Sequence, residues 1–195
     1  MCIRDRGGVE NVRAAMDYVA EKVPFVDPDR LYCAGHSSAG TVSLLVAAKE
    51  RRIKACVAFA PVSNLDERLR GNANTHDFYR EAHSDLDRIV RSNSPIIHAK
   101  SITCPVFLFH DSRDGNVPVS QSEAMRDAID SPVTLKLVDH SDHYTSMIKL
   151  GIPAAIEWLT KLDGKTTPPA SDSTCLLYTS PSPRDLSTSR MPSSA

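Results

Sequence analysis

Neither sign of charge dominates this sequence: 23 Lys and Arg face 24 Asp and Glu for a net charge of −1, with no basic stripe and no alternation of aromatic with basic residues. Nucleic acid and anionic membrane surfaces are therefore not expected partners, since both are recognised by clustered positive charge. No apolar run approaches the length of a membrane span. Cysteine is sparse, and Cys33, Cys56 and Cys104 fall in or beside strand-like apolar runs. They read as small core residues and not as a disulfide framework. The His140-x-x-His143 pair has metal-like spacing, but it lies on a loop-like stretch and no third residue is suitably spaced. Neither a metal nor any other cofactor is called for.

One further absence falls inside the most informative motif. Gly35-His36-Ser37-Ser38-Ala39-Gly40 joins a strand-like run, Arg30 to Ala34, to a helix-like run, Thr41 to Glu50, and it lacks the last glycine of a Gly-x-Ser-x-Gly pattern. That pattern is a nucleophile elbow: a sharp strand-to-helix turn lifts the serine Oγ out of the packed layers, and the helix N-terminus offers amide hydrogens to a developing anion. Glycines flank the serine because the turn brings strand and helix backbones close, and alanine adds the smallest Cβ that could collide. Ser38 as nucleophile would put His36 at the first glycine position, a far worse fit. An ordinary Gly/Ser turn is the plain alternative for so short a pattern.

The order of the remaining segments raises the weight of the motif. A strand-like run, Pro105 to His110, ends in Asp111-Ser112-Arg113-Asp114-Gly115-Asn116-Val117-Pro118, and a helical pattern follows from Val119. A further strand-like run, Pro132 to Val138, ends in Asp139-His140-Ser141-Asp142-His143-Tyr144, before an apolar helix from Ile152 to Leu162. Serine, then acid, then histidine, each in the loop after a strand, is the chain order of α/β-hydrolases. The periodicity predicts strands at 30–35, 54–60, 105–110 and 133–138, and helices at 9–22, 39–51, 119–130 and 152–162. Asn64 to Arg70 predicts a short helix, with Asn64 as its N-cap, and Asp77 to Ser92 has a helical rhythm that reads as surface helices forming one wall of a pocket, or as a small lid.

From about Val9 to Leu162 the sequence resembles the catalytic domain of the α/β-hydrolase superfamily, and within it the prolyl-oligopeptidase-like and dienelactone-hydrolase-like serine hydrolases. The matching stretches are Val26 to Tyr32, the elbow, Ser94 to His98, His110 to Gln121, and His143-Tyr144 before Ile156-Glu157-Trp158-Leu159. The resemblance implies the C-terminal half of a doubly wound, mostly parallel sheet, with the N-terminal strands missing. It implies Ser37 as nucleophile, Asp114 as acid and His143 as base, with the Ser38 backbone N–H as one oxyanion donor and a second donor on a loop outside this chain. Asp111 competes with Asp114, though it is more simply read as closing its turn. His140 competes with His143 from the strand end, while His36, His76, His83 and His98 read as surface or structural histidines.

Both ends depart from this pattern. Residues 1–6 and the stretch from Cys175 to Ala195 resemble translated sequencing-adapter read-through, and from Gly164 onward Ser, Thr and Pro replace apolar periodicity. The expected organisation is a partial catalytic domain at 7–163, with 1–6 and 164–195 as disordered or artefactual ends, so the absence of a leader carries no information on localisation. The expected activity is cleavage of a peptide or small ester through an acyl-enzyme, impaired in this fragment itself. A catalytically inactive binding protein on the same fold stays open, and a lipase-like or acyl-transfer enzyme has no long apolar lid to support it.

Overall fold

The computed structural model describes residues 5–71, 73–140 and 142–164. Of the ends read as disordered or artefactual, 1–6 and 164–195, residues 1–4 and 165–195 lie outside the described ones, while Asp5 and Arg6 open the first helix. Four strands, β1 (Leu31–His36), β2 (Ile53–Phe59), β3 (Val106–Asp111) and β4 (Val133–Val138), form one sheet in the order β1-β2-β3-β4. Every pairing is parallel, so each pair of strands is linked by a helical crossover: α2 (Ser38–Lys49) after β1, a longer helical excursion after β2, and α6 (Ser120–Ala128) after β3. The order and direction of these elements make the chain an α/β protein with helices on both sheet faces.

The two central strands show why the sheet is buried on both sides. Along β2 and β3 the side chains alternate: Cys56, Ala58, Val106 and Leu108 face one core with Leu44, Leu45 and Met125, while Val57, Phe59, Phe107 and Phe109 face another with Ala155. A strand with apolar partners on both faces reads as a continuous apolar run, as both of these do. Burial of the three phenylalanines contributes about 1.5–3 kcal/mol each. Cys56 and Cys104 are buried free thiols and Cys33 a half-buried one, in line with their reading as core residues.

Helix α1 (Asp5–Lys22) puts Val9 into the first core, with Val12 and Met16 packed against it. Its backbone is already helical ahead of the expected start at Val9, because no proline intervenes to stop it extending back. After β2 the chain forms α3 (Leu65–Arg70), α4 (Ala73–Ala82), α5 (Leu86–Ser92) and a 3-10 segment, Pro95–Ser101. Asn64 caps α3, its Oδ1 accepting from the Glu67 N–H at 3.2 Å, as its side chain predicts. The helical rhythm of Asp77 to Ser92 is carried by two helices, α4 and α5, in keeping with its reading as surface helices. Leu86 and Val90 of the second turn inward onto Val62, Leu65, Leu69 and Val117, while Phe78 of the first stays 66% exposed. The last helix, α7 (Ile152–Leu162), follows a wide π turn at Met147–Gly151 and covers the second core with Ala155, Trp158 and Leu159. None of the described helices is long and apolar enough to cross a membrane.

Candidate active site

The loops after β1, β3 and β4 leave the same, carboxyl-terminal edge of the parallel sheet, where function gathers in open α/β folds. The first of them is a strained turn. Ser37 has φ 55° and ψ −120°, and its N–H donates to the Phe59 carbonyl at 2.8 Å, which ties the turn to β2. A non-glycine residue in this region persists only where its surroundings hold it there. Ser38 is the first residue of α2, so its N–H belongs to the unsatisfied amides at a helix start. The first glycine of the motif is sterically required: a Cβ on Gly35 would lie 2.3 Å from the Ala39 carbonyl oxygen. Ala39 is itself exposed, which is why an alanine serves where the pattern has a glycine.

The second loop carries both aspartates, and they have different partners. Asp114 is fully buried at its side chain, and its Oδ2 accepts from Nδ1–H of His143 at 2.5 Å. Its Oδ1 accepts from the backbone amides of Asn116 at 2.7 Å and Val117 at 3.0 Å. Burial is the largest influence on this carboxyl and pushes its pKa up, but the hydrogen bonds from His143, Val117 and Asn116 together outweigh it and hold the pKa below the ordinary carboxylate value. Asp111, also buried, closes its own turn by accepting from the Arg113 N–H at 3.0 Å. It also reaches the third loop, accepting from the N–H of His140 at 3.1 and 3.2 Å and of Asp142 at 3.3 Å. An ion pair between Arg113 and Asp139 clamps the same two loops from outside.

The third loop brings in the histidines. His143 is buried, while the His140 side chain is exposed and only its backbone faces Asp111. Because Nδ1–H of His143 donates to a carboxylate, its Nε2 is left as the ring's acceptor. The elbow meets this histidine through its neighbour: the His36 and His143 rings lie 4.4 Å apart. Asp142 caps the turn that follows, accepting from the Tyr144 N–H at 3.1 Å and the Ser146 N–H at 2.9 Å, and these bonds hold its carboxyl down at about 2.

Two residues essential to this arrangement escaped the sequence reading in part or whole. His110 is fully buried at the end of β3, with Nε2–H donating to the Val117 carbonyl at 2.9 Å and Nδ1 accepting from the Ser122 hydroxyl at 2.7 Å. Burial pushes its pKa down, which favours a neutral ring, and the two bonds hold that ring under the Asp114 loop, with Nε2 3.6 Å from Asp114 Oδ2. A histidine ending an otherwise continuous buried run was the available signal. Asp111 looked like a simple turn residue because its second set of partners lies 29 to 31 residues further along the chain.

A parallel sheet with flanking helices, a serine on a strained strand-to-helix elbow and an aspartate–histidine pair on the next loops along the sheet edge define an α/β-hydrolase-fold domain. The chain matches the prolyl oligopeptidase family over residues 5–154 and belongs to it. Among curated proteins it is 26% identical over 132 residues to the uncharacterized peptidase YuxL of Bacillus subtilis, a match covering 62% of this chain and 19% of that protein. The fold is shared with acylaminoacyl peptidase from Pyrococcus horikoshii, at 17% identity and a TM-score of 0.71, over 86% of this chain and 30% of that one. It is shared also with acetyl xylan esterase 1 from Thermoanaerobacterium sp. JW/SL YS485, at 24% identity and a TM-score of 0.62, over 79% of this chain and 52% of that one. The chain thus spans about a fifth of its curated relative.

Proposed function

We propose that this chain carries the Ser37–His143–Asp114 triad of a serine hydrolase that cleaves peptide bonds through an acyl-enzyme. The observation that carries the reading is the 2.5 Å hydrogen bond from His143 Nδ1 to the buried Asp114 carboxylate, on a histidine packed against the elbow. Ser37 is unreactive at its free pKa and needs a base at the moment of attack. Asp114 holds His143 in the tautomer whose Nε2 takes the serine proton, and stabilises the imidazolium that forms. The proton then passes to the leaving amine, and water repeats the sequence to release the acid. The Ser38 N–H is one donor to the tetrahedral oxyanion.

Peptides are the favoured substrate class because the family match and the peptidase relative agree. Small esters are the second reading, supported by the fold shared with an esterase. The test is a fluorophosphonate probe followed by mass mapping, then hydrolysis of matched aminoacyl anilide and aryl ester substrates. The adduct is expected on Ser37, with none in Ser37→Ala, and the weak turnover expected of this fragment is expected to include the anilide. An adduct on Ser38 overturns the elbow assignment; turnover of esters alone moves the reading to an esterase; no adduct at all points to an inactive binding protein.

A further inference from the structure

His36 reads from the sequence as a surface or structural histidine, flanked by a glycine and the proposed nucleophile. In the folded chain its Nε2–H donates to the backbone carbonyl of His143 at 2.8 Å. Its ring also packs on the His143 ring at 4.4 Å and on Tyr144 at 4.9 Å, and Tyr144 closes the trio edge-on to His143 at 4.8 Å. His36 ends β1, paired in register with Phe59 of β2, so it is fixed to the sheet. His143 sits on a loop. Asp111 anchors that loop at the amides of His140 and Asp142, upstream of the base, and Asp142 caps the turn downstream. His36 contacts the histidine itself at both ring and main chain, and it does so from the residue next to Ser37.

We propose that His36 is a positioning residue that sets the distance between His143 and Ser37 by binding the main chain of His143 and bracing its ring. The proposal rests on the reading of His143 as the general base. A carbonyl acceptor requires hydrogen on Nε2, and this fixes the His36 tautomer. Burial is the largest influence on His36 and pushes its pKa down, which favours a neutral ring. The charged and titratable groups facing it are His143, Asp114, His110 and Tyr144. A neutral His36 adds no positive charge beside His143 when that ring accepts the serine proton.

The two functions of His36 separate by substitution. His36→Phe keeps an aromatic ring on His143 but has no donor. His36→Gln gives up the ring, and its Nε2 stands at the same bond separation from Cβ as the lost imidazole Nε2, so the donor is kept. The measurement is the rate of fluorophosphonate labelling of Ser37 in the 195-residue chain, paired with the far-downfield proton resonance of the His143 Nδ1–H···Asp114 bond and a thermal melt. His36→Phe is expected to label on the order of ten- to a hundredfold more slowly, the scale of a small misplacement of a reacting group, and to broaden or lose the resonance while the melt stays cooperative. His36→Gln is expected to recover most of the rate and the resonance. Wild-type labelling and an unchanged resonance in His36→Phe would overturn the proposal, and so would equal losses in both variants. His143→Ala is the control on the underlying reading: undiminished labelling there removes the base assignment itself, whatever His36 does.

Discussion

Asp111 and Asp114 sit three positions apart on one loop, yet Asp111 accepts the backbone amides of His140 and Asp142 while Asp114 accepts the ring N–H of His143. One carboxylate places the loop and the other orients the imidazole. Replacing them therefore has different consequences.

Asp114→Asn is expected to lower turnover by about 10⁴, because an amide at this position can leave the imidazole in the wrong tautomer, with a small change in melting temperature. Asp111→Asn is expected to lose about 1–3 kcal/mol of stability by weakening charge-assisted bonds to buried amides, with a smaller loss of turnover. Steady-state kinetics and denaturant melts of both variants decide the assignment. The larger kinetic loss at Asp111 would make it the triad acid. The same assays on His143→Ala and His140→Ala are expected to show the loss at His143, since the His140 side chain is exposed.

Gly35→Ala is expected to abolish the elbow. The new Cβ would meet backbone at 2.3 Å and 2.4 Å on Ala39, and a main chain fixed by both β1 and α2 cannot move aside as a side-chain end would. The cost exceeds the roughly 1–3 kcal/mol of ordinary overpacking. Ala39→Gly, by contrast, is expected to change stability little, because the exposed alanine methyl meets no such constraint. Equal melting temperatures for Gly35→Ala and wild type would show that the turn is not the one described.

The acid stability of the domain is expected to depend on Glu50 at the end of α2. Its carboxylate accepts from the Arg52 side chain at 3.0 Å through both oxygens and lies 3.3 Å from Arg13 of α1. These bonds, led by the one from Arg52, lower its pKa from 4.5 to about 2. The folded-state value is depressed, so the stabilisation is complete above the unfolded pKa and is lost as pH falls from 4.5 toward about 2. Glu50→Gln is expected to cost about 1–3 kcal/mol at neutral pH and to flatten that part of the stability–pH curve. A curve of unchanged shape in the variant would remove Glu50 from the account.

The outer edge of β1 predicts self-association of the chain by itself. Leu31, Tyr32, Cys33 and Ala34 carry no charge, and beside them an apolar groove of about 430 Å³ runs between β1 and α7, lined by Ala34, Val57, Phe59, Ile152 and Ile156. Uncharged edges of this kind template pairing with other chains. Light scattering of the 195-residue chain is expected to report oligomers at micromolar concentration, and Ala34→Lys, at an exposed edge position, is expected to reduce them. A monodisperse monomer would contradict the expectation.

The sequence by itself determined the local structure and the chemistry on offer. The apolar runs at 55–60 and 106–109 read as strands covered on both faces, amphipathic periods marked the crossover helices, and Gly35-His36-Ser37-Ser38-Ala39 offered an elbow, whose need for glycine at position 35 the folded backbone then supplied. Serine, acid and histidine were therefore legible as three strand-end loops in order. Tertiary structure decided what periodicity does not encode, which is the partner each loop side chain meets across the sheet edge. Asp111 and Asp114 have the same chemistry and nearly the same position, and only the register of β3 against β4 aims one at backbone amides and the other at an imidazole. His36 read only as a surface or structural histidine for the same reason: its partner is 107 residues away in sequence, and only closure of the parallel sheet brings the two rings together.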